Sequence, residues 1–240
     1  MLKPKITLKD IKHHFNYMGW LYLLLPVVMI LAWSLLYALT EYRPPDDKVL
    51  SFYMVGQYVD VDTFDATREE IRPFFPEMED LDFLPVPVNN VYDSANWQRL
   101  FTYIYAQQGD VMLIDAEIFD AFCGEGMFMP LEEYLSPSDI DLTYTTRTTT
   151  DVPEEHLYGI PADGLYGLWA IDKYDMRRSV FVVMAYSDNL PEGTQLIQWY
   201  LDNRAAPEPV GFADWPAKEP FYPEEPPEAG ASMDMGMGMW

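Results

Sequence analysis

The chain has 240 residues, 49% of them hydrophobic, with 15 lysines and arginines against 39 aspartates and glutamates, for a net charge of −24. A charge of that sign repels nucleic acid and anionic lipid surfaces, so neither is an expected partner. One cysteine allows no internal disulfide, and histidines only at positions 13, 14 and 156 are too scattered for an imidazole metal site or a catalytic triad.

Lys3, Lys5, Lys9 and Lys12 precede an uncharged apolar run from Tyr17 to Leu39. As a helix rising about 1.5 Å per residue, the run spans roughly 35 Å, enough to cross a hydrocarbon core of about 30 Å. Residues 17–40 are therefore predicted as a single transmembrane helix. Trp20, Tyr22, Trp33, Tyr37 and Tyr42 stand near its two ends as interfacial aromatics do, and Pro26 is tolerated inside a membrane helix. Four lysines against Asp10 give residues 1–40 a charge of +3, which leaves −27 on residues 41–240. The positive-inside rule then places residues 1–16 in the cytoplasm and everything after Thr40 outside the cell membrane. The exit Tyr37-Ala38-Leu39-Thr40-Glu41 offers no small-x-small cleavage site, and Cys123 is far from a lipid-anchor position, so an uncleaved signal-anchor is expected.

Residues 41–48 read as a stiff linker whose prolines stop the helix, and residues 49–204 as one extracytoplasmic domain. Val49 to Val55 is apolar almost throughout and ends at Gly56, as a strand buried on both faces does. Thr67 and Glu70 have capping-box spacing, which predicts a helix over 66–75. Asp82 to Val88 reads as a second strand that Pro85 and Pro87 confine to a sheet edge. Asp93 or Ser94 caps a helix reaching Gln108, with Trp97, Leu100, Phe101, Ile104 and Tyr105 on one face. Val111 to Ile114 is a short buried strand, Ala116 to Phe122 a helix, and Leu131 to Leu135 a further helical turn. This alternation predicts an α/β fold with a mostly parallel sheet flanked by helices. Residues 139–155 are threonine-rich and suit an extended loop or an edge strand. Leu157 to Pro161 and Tyr166 to Ile171 read as two short strands, Val180 to Tyr186 as the most hydrophobic strand, and Pro191 to Asn203 as a helix. Residues 205–240 are rich in proline, acidic residues and methionine, the composition of a disordered tail.

The stretch Ser94 to Leu135 resembles the first lobe of the extracellular solute-binding proteins that serve ABC importers, of the sugar and peptide type. The resemblance rests on four pieces in order. They are the helix Trp97 to Gln108, the segment Gly109-Asp110-Val111-Met112-Leu113-Ile114-Asp115, the helix Ala116 to Phe122, and the segment Gly126 to Leu135 with its Pro130-Leu131-Glu132-Glu133 core. Leu157-Tyr158-Gly159-Ile160-Pro161 looks like the strand by which that class enters its hinge. The chain departs from the class where a second lobe belongs, because only 18 residues separate Pro161 from Val180. The resemblance therefore implies a single bacterial lobe with half a cleft, acting by binding and not by catalysis, and the membrane helix expected from Tyr17 to Leu39 is a second departure from the class. Its implied partner is a membrane protein or transporter component, with a small solute as a possible ligand and the acidic face offered to a basic surface. A structural or assembly subunit without a small-molecule ligand is the alternative.

A half-cleft in such a sheet lies at the carboxyl ends of the parallel strands. That singles out Gln57 and Tyr58 after Gly56, Asn96 and Trp97 at the start of the long helix, Asp115 and Glu117 after the third strand, and Asp163 after the hinge strand. The plainer reading makes Trp97 core and Asp115 a helix cap. No metal site or cofactor is expected: Asp60, Asp62 and Asp65 lack the glycine and distal glutamate of a calcium loop. The alternating methionines from Met233 to Met239 offer thioethers to Cu(I) but read better as a flexible terminus. Cys123, among Phe122, Met127 and Phe128, reads as a small buried hydrophobe.

The orientation is testable in a Cys123→Ser background. In intact cells a membrane-impermeant maleimide is expected to label the Ser232→Cys variant and to leave Thr7→Cys unlabelled until lysis; the reverse pattern overturns it.

Overall fold

The computed structural model describes residues 8–56, 61–88, 90, 92–135, 146–147, 155–218 and 220–221, which fall into two units, Met1–Arg43 and Pro44–Trp240. The first unit is helix α1, Leu8–Thr40, with Pro26 inside it. Its segment Met18–Thr40 is long and apolar enough to cross a membrane. The helix begins well before Tyr17 because leucine and lysine are good helix formers. Apolarity marked the membrane-length part only.

The second unit contains strand β1 (Val49–Gly56), helix α2 (Val61–Ile71), β2 (Asp80–Pro87), α3 (Ser94–Tyr105), β3 (Val111–Asp115) and α4 (Ala116–Cys123). It continues through β4 (Thr146–Arg147), β5 (His156–Leu157), β6 (Ile160–Pro161), β7 (Ser179–Val183) and α5 (Leu190–Arg204). A five-stranded sheet has the order β2-β1-β3-β7-β6, and β4 pairs with β5 separately. β1 is parallel to β2 and β3, whereas β7 is antiparallel to β3 and to β6. Four strands thus point one way and β7 runs against them, giving the mixed α/β fold with helices on both faces.

β1 dictates this layering. Its side chains alternate, so Leu50, Phe52 and Met54 pack with Phe64 and Ile71 of α2 and with Leu196, Ile197 and Tyr200 of α5. Tyr53 and Val55 pack on the other face with Leu100 of α3 and with Ile118 and Phe119 of α4. The Phe52 ring lies 5.3 Å from Phe83, 5.2 Å from Tyr200 and 5.9 Å from Phe64. Burial of one such ring contributes about 1.5–3 kcal/mol. β2 is an edge strand, as its prolines require, because Pro85 and Pro87 have no N–H for a further ladder. Cys123 is buried in the second layer.

Two segments differ from their sequence pattern. Thr67 does not start α2 but sits within it, buried, and its hydroxyl reaches the Thr63 carbonyl at 3.0 Å and the Asp172 carboxylate. Tyr166 to Ile171 is not a strand: Leu168–Asp172 forms a π-helical turn with Leu168 and Asp172 buried. Gly167 explains the change, since a Cβ there would lie 2.6 Å from the Arg204 carbonyl oxygen and would keep α5 away.

A buried ionic cluster ties these pieces together. Arg204, 2% exposed, lies 3.1 Å from Glu70 of α2. Its Nε is 3.5 Å from Asp172 Oδ2, a charge contact longer than an aligned hydrogen bond, and its guanidinium stacks 4.7 Å over the Trp199 ring. Removing one partner of a buried pair strands the other charge. Arg204→Met is therefore expected to lower the unfolding free energy in urea by about 3 kcal/mol, and an unchanged midpoint and slope would show that the cluster contributes nothing.

Candidate functional site

The carboxyl ends of β1, β2 and β3 and the start of β7 share one edge of the sheet, because β7 is antiparallel and Asp115 is the register partner of Ser179. Asp115 ends β3 and caps α4: its Oδ1 accepts from the Glu117 N–H at 2.9 Å. That is the plainer role expected of it. The other carboxylate oxygen, Oδ2, faces the ammonium of Lys218 at 3.0 Å, with the two side chains 7% and 6% exposed.

Lys218 is held from three further sides. Its Nζ lies 3.0 Å from Ser179 Oγ, 3.3 Å from the Arg177 carbonyl oxygen and 5.7 Å from the centre of the Tyr174 ring. Tyr174 is fixed in turn, as its hydroxyl donates to the Val55 carbonyl at 2.6 Å and meets Ser179 Oγ at 3.3 Å. Burial keeps this phenol protonated well above the usual tyrosine range. The ring closes over the end of β1, where only glycine fits: a Cβ on Gly56 would meet Tyr174 Cε2 at 2.6 Å.

The same covering continues to α3. Trp97 packs at the edge of the second layer, with its ring 4.6 Å from Phe101 and 4.9 Å from Phe221, which is 3% exposed. Asn96 turns away to its own helix start and donates to Asp93 at 3.0 Å. Glu117 pairs with Arg178. Asp163 follows β6 in an exposed turn on the far side of β7 from Asp115, two strand spacings or roughly 10 Å along the edge. Gln57 and Tyr58 lie outside the described residues, as does Asp60; Asp62 and Asp65 stand on α2. Among the described residues no three histidine, cysteine or acidic side chains converge as metal ligands.

Asp115, Glu117 and Trp97 are thus brought to one edge, while Lys218, Phe221, Tyr174 and Ser179 complete it. Composition assigned residues 205–240 to a disordered tail, yet residues 205–218 follow the domain surface, with a bridge between Ala206 and Leu165 and contacts of Phe212 and Trp215 to Tyr166 and Trp169. The physical reason is local. Phe212, Trp215, Lys218 and Phe221 supply apolar area and one positive charge to a proline-rich segment that its average composition conceals. Lys218 is the only lysine or arginine in residues 205–240, and that lone cation was the legible signal.

A second concavity of about 520 Å³ opens at the other end of the strands, among Tyr53, Asp82, Tyr103, Gln107 and Asp110. Asp110 is a structural hub there, accepting from the Ser51 N–H at 2.8 Å, Ser187 Oγ at 2.6 Å and Asn189 Nδ2 at 3.2 Å. No sequence motif marked it as a cavity, since its walls come from β1, β2 and the end of α3.

No protein-family model matches the chain, and no curated protein sequence matches it. Solved structures similar to it include an extracellular solute-binding protein, family 1, from Alicyclobacillus acidocaldarius, at 19% identity and a TM-score of 0.33, over 50% of this chain and 29% of that one. An ABC transporter solute-binding protein from Agrobacterium vitis with bound D-mannitol gives 19% identity, a TM-score of 0.33 and coverage of 49% and 27%. An ABC substrate-binding protein from Listeria monocytogenes in complex with cycloalternan gives 15%, 0.32, 46% and 28%. This chain therefore spans less than a third of the length of each.

Burial raises the pKa of Asp110 above its ordinary 3.8, outweighing the hydrogen bonds from Ser187, Ser51 and Asn189. The native state then binds this proton more tightly than the unfolded chain. The stability it contributes is complete below 3.8 and is lost as pH rises through the raised native value. Urea midpoints of Asp110→Asn are expected to fall less than those of the wild type as pH rises across that interval; a difference between the two that does not vary with pH would count against this.

Proposed function

We propose that the chain is a membrane-anchored extracytoplasmic binding module, built on one solute-binding-like lobe, that acts by holding a partner or ligand at the carboxyl-end edge of its sheet. The observation that carries this is the edge itself. Asp115, Ser179 and Tyr174 gather around the chain's own Lys218 where open α/β sheets bind ligands, and Phe221, three residues further on, packs against Trp97. A surface that binds one segment this way has the polar and aromatic groups of a recognition site.

The anchor supports a fixed partner over a diffusing carrier role. The apolar helix Met18–Thr40 would keep the lobe at the membrane face, and the −27 charge of residues 41–240 favours a basic surface on a membrane protein or transporter component. An assembly subunit with no small-molecule ligand is the second reading. It is favoured by the fact that the edge is already occupied by the chain itself.

Thermal-shift titration of the full-length protein in detergent, against sugars, sugar alcohols, peptides and divalent metals, separates the two. The binding-module reading expects saturable stabilisation by one class, about 2.7 kcal/mol at a hundred times its dissociation constant. No shift with any class, together with a stoichiometric membrane partner on affinity purification, would replace it with the assembly reading.

A further inference from the structure

We propose that the carboxyl-end edge is a receptor for a primary ammonium, with Lys218 seated in it as a tethered ligand, and that its exchangeable ligand is a lysine of an extended partner segment. This rests on the binding-module reading and names the ligand class.

The combination of one ion pair, two hydrogen bonds and an aromatic face around a single ammonium carries the inference. A lysine ammonium has three N–H donors and no acceptor. Lys218 makes two hydrogen bonds, to Ser179 Oγ at 3.0 Å and to the Arg177 carbonyl at 3.3 Å, and an ion pair with Asp115 Oδ2 at 3.0 Å. The Tyr174 face adds a cation–π contact at 5.7 Å. A sugar hydroxyl has one donor and would leave the Asp115 charge without a cation. A planar guanidinium presents its donors as a fork in one plane and matches three separate acceptors poorly.

The cage is built without help from Lys218. Asp115 is fixed by capping α4, Ser179 by its place in the β3–β7 ladder, and Tyr174 by its bond to Val55. Such preorganisation is what a binding site needs and what an incidental surface ion pair lacks. By contrast, residues 215–218 belong to no helix or strand, and Pro216 and Pro220 stand on either side of Lys218. Extended, proline-flanked segments bind and release as peptides do. Phe221 adds a second anchor three residues on, against Trp97 at 4.9 Å. A cavity of about 260 Å³ lined by Trp169, Arg177, Trp215 and Pro216 lies beside Lys218, so this segment is not packed on every side. A tether raises the local concentration of its own ligand to about the millimolar range, so a partner lysine competes only when it too is held at the membrane.

The test uses the full-length protein in detergent. Lys218→Ala leaves the Asp115 charge without its partner and is expected to lower the Tm by about 8 °C. n-Propylammonium should restore it saturably, by about 4 °C at ten times its dissociation constant, whereas n-propanol and sodium chloride at equal concentration should not. A folded variant that amines do not rescue, or that n-propanol rescues equally, overturns the proposal. Should Lys218→Ala fail to fold, acetylation of the wild type decides. Lys218 is expected to react roughly tenfold more slowly than exposed Lys173. A peptide copy of residues 213–221 should speed its labelling, and the same peptide with norleucine for the lysine should not. Equal rates at the two lysines, or equal effects of the two peptides, overturn the proposal. If amines fail while a sugar or metal stabilises the wild type, the binding-module reading stands and only the ammonium class falls.

Discussion

Strand β1 has apolar neighbours on both faces and hydrogen-bonded strands on both edges, so it can be satisfied only at the centre of three layers. Once Phe52 is committed to the α2/α5 side and Tyr53 to the α3/α4 side, the alternation of the pleat leaves every other residue of the strand no choice of face. β2 and β3 take their register from it, Phe52 opposite both Phe83 and Val111. The edge where the strands end is a consequence of this arrangement, since parallel strands started from one side must all finish on the other.

What happens at that edge is a competition between solvation and pairing. A carboxylate as little exposed as Asp115 needs partners for both oxygens, and the chain supplies the helix N–H for one and an ammonium for the other. The same logic recurs elsewhere in the domain, where Arg204 answers Asp172 and Glu70. The two clusters differ in their origin. Arg204 comes from a fifteen-residue helix packed into the core, whereas Lys218 comes from residues 215–218, which lie outside any helix or strand. Both cations are largely withdrawn from solvent, but their attachment differs.

The elements with strong patterns were legible. β1, β3, α3, α4 and α5 follow from apolar runs, a capping aspartate or a proline start, each a local cause with a local signature. Pro85 and Pro87 placed β2 at the edge for the same kind of reason. Tyr166 to Ile171 misled because its apolar residues suit a strand, and the deciding contact, Gly167 against the Arg204 backbone, lies 37 positions away. The helix-cap role of Asp115 and the packing role of Trp97 were legible, but the residues that cover them were not, since averaging over residues 205–240 hides one lysine and a few aromatics among prolines and acids.

By itself the sequence determined the apolar span, the charge contrast on either side of it and the α/β alternation, because each depends on neighbours within a turn or a strand. Only the tertiary structure decided that β7 runs antiparallel, that Leu168–Asp172 turns as a helix, and that Lys218 and Phe221 cover the edge. These depend on contacts between residues more than a hundred positions apart in the last case. No local pattern encodes such a distance, and the burial of one carboxylate was enough to recruit a cation from beyond the last helix.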